Sequence, residues 1–344
     1  MTEENRKVTI PQLYSQLDSF HCSKESRPLH VFTVFPKTTI DTLPSYSYEA
    51  GVGAITEKTN ERLYKITLSS LRRKQQAYGY LIDSGALWNI LIRTVESPTT
   101  AGNITLSWLK RMEPVVRMAY MRPDDLLGIM DSLSQIEGSK IGLRGVVLRK
   151  YGTDGSLKKW PMGAVYSREE IENTIQNENE LLEAIDFTFT VQGSGFRVRM
   201  ESNGHFVFYE GNQFCFSNFS RIVLNRFNER ALRNQRFYSN KERRVVNGEA
   251  TIFPIALKPF KELTKSDFES LSLHLGRNYS TAVFHTGNPW LLMSVVDVSD
   301  GSSFDIHGHS DELLVVPFNK ASPESLMKLI FEFYELFPRL QMQQ

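Results

Sequence analysis

The runs TAVFH (residues 281–285), WLLMSVVDV (290–298) and LLVVPF (313–318), followed by SPESLMKLIFEFYELF (322–337), decide the fold of this chain. Three short apolar runs bounded by turn residues read as strands, and the fourth stretch reads as the helix that covers them. Ser322 suits the N-cap, Pro323 the first helical position, Glu324 the positive end of the helix dipole, and Pro338 the stop. Between them Leu326, Met327, Leu329, Ile330, Phe331, Phe333, Tyr334, Leu336 and Phe337 wrap most of the circumference. They leave a polar stripe of Glu324, Lys328, Glu332 and Glu335, so only a narrow edge is expected to face water. Such a helix is a core element, and nothing in it is chemical.

With 344 residues the chain can hold two domains, or one large one with an elaborated end. Hydrophobic residues make up 41% and charged residues 23%, which excludes wholesale disorder. Lys plus Arg outnumber Asp plus Glu by only 40 to 39, so any attraction for nucleic acid must come from local clustering. Cys22 and Cys215 lie far apart with no CxxC spacing, which excludes a cysteine-rich zinc module and fits a reducing compartment; the expected location is the cytoplasm. The N-terminus has no apolar signal region and no later stretch approaches eighteen uninterrupted apolar residues, so no membrane partner is expected.

The order of signals predicts an α+β fold of antiparallel, hairpin-rich sheets covered by helices. An N-terminal α+β unit (1–100) combines a helix over Ile10–Phe20 with strands at Leu29–Phe35, Leu63–Leu68 and Ala86–Ile92. ESPTTAGN (96–103) reads as a linker to a larger domain, 104–344. Within that domain, 113–166 and 251–337 share an order of strand, helix and hairpin. The first copy is Val115–Met121, Pro123–Ile136 and a hairpin turning at Thr153-Asp154-Gly155. The second is Ile252–Leu257, a helix opened by Ser266-Asp267-Phe268-Glu269, and a hairpin turning at Asp300-Gly301. Between the copies an acidic helix runs from Ser167 to about Ala184, followed by strands Phe187–Val191, Phe196–Met200 and Phe206–Tyr209.

One charge feature stands above this background. RIVLNRFNERALRNQRFYSNKERR (221–244) carries eight basic residues against Glu229 and Glu242. On a helix Arg226, Arg230 and Arg233 share a face, while Val223, Leu224, Phe227 and Ala231 line another. Guanidinium forks suit phosphate oxygens, so Arg226, Arg230, Arg233, Arg236, Lys241, Arg243 and Arg244 are the expected nucleic-acid contacts. Arg149, Lys150, Lys158 and Lys159, with Arg144 and Trp160, form a second basic patch on the first hairpin. The leading expectation is a non-enzymatic nucleic-acid-binding subunit of a larger assembly, with no cofactor. In the rival reading the belt docks an acidic protein partner, and in the bland one these arginines pair with the acidic helix or simply solvate their face.

The densest set of potential ligands is Asp305, His307 and His309, where an HxH pair on a strand would face one way, as a metal-dependent hydrolase or nuclease needs. Gly308 and Ser310 mark the segment as a loop, so no metal is expected there. His21, His30, His205, His274 and His285 stand alone in the sequence and read as structural. No phosphate loop, dinucleotide fingerprint, GxSxG elbow or HExxH is present, which disfavours the motif-bearing enzymes without excluding a site built from scattered residues.

Overall fold

A computed structural model describes residues 8–21, 27–49, 52–70, 75–93, 98–112, 115–149, 156–178, 181–241, 244–246, 249–251, 254–259, 261–286, 291–318, 321–337 and 340–342. Contacts divide the chain into two compact units. Unit 1 takes Met1–Val147, Leu157–Ile171 and Glu183–Ala231; unit 2 takes Leu148–Ser156, Glu172–Leu182 and Leu232–Gln344. The expected 101–103 boundary falls inside a helix of unit 1.

In chain order the first part runs α1 (Ile10–His21), β1 (Leu29–Pro36), α2 (Leu43–Glu49), β2 (Val52–Lys58), β3 (Leu63–Ser70), β4 (Gln75–Asp83), β5 (Trp88–Arg93), α3 (Pro98–Met112), β6 (Val116–Met118) and α4 (Pro123–Ser134). Then come β7 (Lys140–Arg149), β8 (Ser156–Val165), α5 (Arg168–Glu178), β9 (Leu181–Val191), β10 (Ser194–Glu201), β11 (His205–Gly211) and α6 (Cys215–Asn218). A π-helical turn, Phe219–Leu224, leads into α7 (Asn225–Lys241). The strands form one sheet in the order β2-β3-β4-β5-β1-β11-β10-β9-β7-β8. β1 is its centre: β5 pairs along one edge, and on the other β11 pairs with Leu29–Phe32 before β6 takes over at Val34–Pro36.

Alternation along the strands gives this sheet two different faces. One carries Phe32, Val34, Ile66, Leu68, Ala77, Leu81, Ile90 and Ile92, buried with Trp108, Leu109 and Met112 of α3. The indole of Trp108 donates to Ser47 Oγ of α2 at 3.0 Å, so the buried polar atom is satisfied. The other face carries Lys65, Thr67, Tyr78, Tyr80, Leu91 and Arg93, one residue out of phase. Over β10 and β11 the core is aromatic: Phe196, Phe206, Phe208, Phe216, Phe219 and Phe227 pack ring to ring at centroid separations of 4.8–5.9 Å.

Two expectations are corrected by this arrangement. The linker expected at 96–103 falls partly outside the described residues, and its described part begins α3, because Ile104, Trp108 and Met112 supply a helical stripe that the sheet buries. Gly102 is no linker glycine: a Cβ there would meet His30 Cε1 at 2.9 Å. The acidic helix stops at Glu178, and Leu182 and Ala184 belong instead to β9, which pairs with β10.

Unit 2 contains β12 (Arg244–Val246), β13 (Glu249–Thr251), β14 (Ile255–Lys258), α8 (Lys265–Leu275), β15 (Ser280–Thr286), β16 (Leu291–Val296), β17 (Ser303–Gly308), β18 (Leu313–Pro317), α9 (Pro323–Leu336) and β19 (Gln341–Met342). Its larger sheet is antiparallel in the order β15-β16-β17-β18-β14-β19. The chain is therefore α+β with extensive antiparallel sheet. In the first expected copy β6, α4, β7 and β8 follow in order, with the turn expected at Thr153-Asp154-Gly155 outside the described residues. In the second, β15 comes between α8 and β16-β17, and β7-β8 ends the large sheet whereas β16-β17 lies inside the smaller one.

α9 forms as its signals predict, with Ser322 Oγ accepting from Ser325 N at 3.2 Å. Its polar stripe is drawn inward. Glu332 is buried, accepting from His274 Nε2 of α8 at 2.6 Å and from Asn278 Nδ2 at 3.0 Å, and Glu324 Oε1 accepts from Gln235 Nε2 at 3.1 Å. Lys328 stands 3.8 Å from the buried Asp297. The stripe is a polar seam against neighbouring elements rather than a wet edge.

Candidate anion-binding site

The arginine belt is helical, as its spacing predicts, and Val223, Leu224, Phe227 and Ala231 are buried. The arginines themselves divide. Arg226 Nη1 donates back to Ile222 O at 3.1 Å. Arg230 Nε donates to Asp125 Oδ1 at 2.6 Å, and Arg122 Nε donates to Oδ2 of the same carboxylate at 3.1 Å. Burial pushes the Asp125 carboxyl up, and the two arginines more than offset it, holding it below the usual carboxylate range. Arg230 is thus a partner of a buried acid, and that acid lies on α4, not on the acidic helix. Arg233 is exposed. Arg236 and Lys241 lie on α7 and Arg244 on β12, but their side chains and all of Arg243 fall outside the described residues, as do Lys150 and the side chains of Arg149 and Lys158; Lys159 is exposed on β8.

The Asp305, His307 and His309 set does not converge. Asp305 accepts a hydrogen bond from Ser294 Oγ, His307 points outward, and His309 follows the strand. Among the described residues, the His/Cys/Asp/Glu group whose ligand atoms do converge, all within 4.8 Å, is His274, Glu332 and Glu335, which joins α8 to α9. His30 and His205 do not stand alone either. The buried ring of His205 places Nε2 2.9 Å from His30 Nδ1 and Nδ1 2.9 Å from Glu201 Oε2, and it stacks on Phe32 at 4.4 Å. Burial raises the Glu201 carboxyl, but His205 and Arg199 bring it below its ordinary range. This buried string ties β1, β10 and β11 together.

The residues with the geometry of a binding site lie elsewhere, beneath α1 in unit 1. A cavity of about 820 Å³ opens between this helix and the polar face of the sheet. Its roof is Leu13, Gln16, Leu17 and Phe20, and its floor includes Leu29, Thr67, Tyr78, Tyr80 and Leu91. Among the described residues three cations line it, Arg27, Lys65 and Arg93, and no carboxylate does. Lys65 Nζ is 4.0 Å from Glu57, but both side chains are about half exposed, so the pair is screened and weak. The Arg93 guanidinium lies 3.7 Å from the centre of the Phe20 ring.

Local sequence fixes this roof. Thr9 and Gln12 hydrogen-bond reciprocally at the start of α1, with Thr9 N donating to Gln12 Oε1 at 2.8 Å and Gln12 N to Thr9 Oγ1 at 3.4 Å. Asp18, buried, accepts from Phe216 N at 2.6 Å and so caps α6, and Tyr14 OH lies 2.8 Å from Ser220 Oγ. Burial pushes the Tyr14 phenol up. α1 is therefore held by polar bonds at one side and by Leu13 and Leu17 below.

Neither a protein-family model nor a characterised protein matches the chain. The site must be read from its own chemistry. Sequence reasoning missed Lys65, Tyr78, Tyr80 and Arg93. A signal was present: Lys65 and Thr67 alternate with Ile66 and Leu68, and Tyr78 and Tyr80 with Ala77 and Leu81, which marks one face of each strand as polar. That a helix roofs this face is long-range information that the alternation does not carry.

Proposed function

We propose that this protein works by binding an anionic ligand in the cavity under α1. The observation that supports this reading is the charge of the lining: Arg27, Lys65 and Arg93, with no carboxylate among the described lining residues, over a floor that is half aromatic and aliphatic. A volume of about 820 Å³ falls in the range of about 300–1,000 Å³ that small-ligand sites occupy. Among the described residues, the lining holds no histidine, cysteine or carboxylate to move a proton near neutral pH, so binding is the activity that these residues suit.

Thermal melting with added tripolyphosphate or decanoate tests the proposal. A ligand at about 100 times its Kd raises stability by about 2.7 kcal/mol, a readily measured rise in Tm. That rise should shrink when Lys65 and Arg93 are both changed to Gln, while the unliganded Tm stays close to the parent's. If no anion shifts the melt, or if the double variant shifts as the parent does, the cavity is not the site.

A further inference from the structure

The geometry of the lining says more than its charge, on the footing that the cavity is an anion site. In the sheet register Lys65 is opposite Tyr80, Tyr80 opposite Leu91, Thr67 opposite Tyr78, and Tyr78 opposite Arg93. Lys65 and Arg93 therefore sit two strands apart and two residues out of step, about 12 Å between Cα positions at ordinary strand and residue spacings. Tyr78 and Tyr80 stand on β4 between them, on the same face. Tyr78 is 46% exposed and Tyr80 half-buried, so neither ring is spent in the core.

Cation, two aromatic rings and cation across one sheet face is the pattern of a stacking platform with phosphate anchors at its ends. We infer that the cavity takes a short single-stranded segment of nucleic acid, with unpaired bases on Tyr78 and Tyr80 and backbone phosphates at Lys65 and Arg93. At about 3.4 Å per stacked nucleotide, the spacing of the two cations covers three to four steps. An aliphatic acid would use the cations but not the two rings, and a duplex would hide the base faces that the rings need.

Gly79 keeps the platform continuous. Between the two tyrosines it points to the opposite face, where a Cβ would lie 1.9 Å from Leu91 O. A side chain there would force β4 off β5 and separate Tyr80 from its neighbours in the row.

Fluorescence anisotropy with a labelled oligo(dT) of about eight nucleotides, tripolyphosphate as competitor and a duplex of equal length tests the inference. Single strand should bind more tightly than duplex. Tyr78→Leu and Tyr80→Leu should each weaken it roughly ten- to a hundredfold without changing the salt slope. Lys65→Gln and Arg93→Gln should each lower the log–log salt slope by about 0.7. Melting curves of all four variants check that the fold is kept; Tyr78 and Arg93 are exposed, so their variants remain informative if Tyr80→Leu melts early. If tripolyphosphate binds but the oligonucleotide binds no better and ignores Tyr78→Leu, the strand inference fails while the anion site stands. If neither binds, both fail. If strand or duplex binds equally and every cavity variant is silent, nucleic acid is held elsewhere and the inference is overturned.

Discussion

Arg230→Gln is expected to lower the stability of unit 1 by about 2 kcal/mol. The Arg230 Nε–H donates to Asp125 Oδ1 at 2.6 Å, and the Asp125 side chain is wholly buried. A hydrogen bond to a charged group contributes about 1.5–3 kcal/mol, and orphaning a buried charge altogether costs about 3–5 kcal/mol. Asp125 is not orphaned, because Arg122 Nε remains 3.1 Å from Oδ2. Nearly a third of the Arg230 side chain is in solvent, which weakens its share further, so the lower range applies. At about 2–4 °C per kcal/mol for a unit of this size, Tm should fall by about 4–8 °C. Circular-dichroism melts measure it, with exposed Arg233→Gln as a control expected to stay within about 0.5 kcal/mol of the parent. In an Asp125→Asn background the further cost of Arg230→Gln should shrink, since the charge it serves is gone. The pH dependence has a definite sign. The native Asp125 pKa lies below the ordinary value of 3.8, so its stabilisation is complete above that value and is lost as pH falls through the lower native one. Parent and variant should converge in acid. If Arg230→Gln melts with the parent at neutral pH, the pair is not made in solution and Arg230 returns to the exposed belt.

Ile330→Asp or Phe333→Asp should unfold unit 2, because both side chains are buried on α9 and an unpaired buried carboxylate costs several kcal/mol; limited proteolysis that leaves unit 2 intact would contradict this. Gly79→Ala should cost about 1–3 kcal/mol or more through its clash with the Leu91 carbonyl, read as a lowered denaturant midpoint with an unchanged slope. The purified protein should carry no stoichiometric zinc, manganese or iron held by Asp305, His307 and His309; elemental analysis that finds such a metal, lost in His307→Ala, would reverse the reading of that strand.

What the sequence made legible was local. The caps and apolar stripe of α9, the strand at β1, the turn at Gly301 with its φ of 73°, and the buried face of α7 all come from spacing and from turn residues. What it hid was pairing between distant residues. Arg226, Arg230 and Arg233 share a helical face in the sequence, yet nothing in that stretch says that Asp125, far earlier, will be buried against one of them. The same is true of Glu332, which reads as part of a wet stripe until His274 and Asn278 are brought to it. Gly102 misled in the opposite sense, since a glycine among Thr and Asn reads as linker when its purpose is to let His30 approach a helix.

The central place of β1 has a consequence for how the chain is made. Strands β2 to β5 and one edge of β1 come from residues 29–93, so that half of the sheet can assemble from local hairpins as it is synthesised. The other edge, along Leu29–Phe32, has to wait for His205–Phe208. At about 5–20 residues per second that edge stays bare for on the order of ten seconds, with an apolar strand offering unpaired backbone groups to any neighbour. Closure over so long a loop is also what makes such topologies slow to fold. A chain stopped after α3 would never receive β11, and its natural fate is edge-to-edge association through β1.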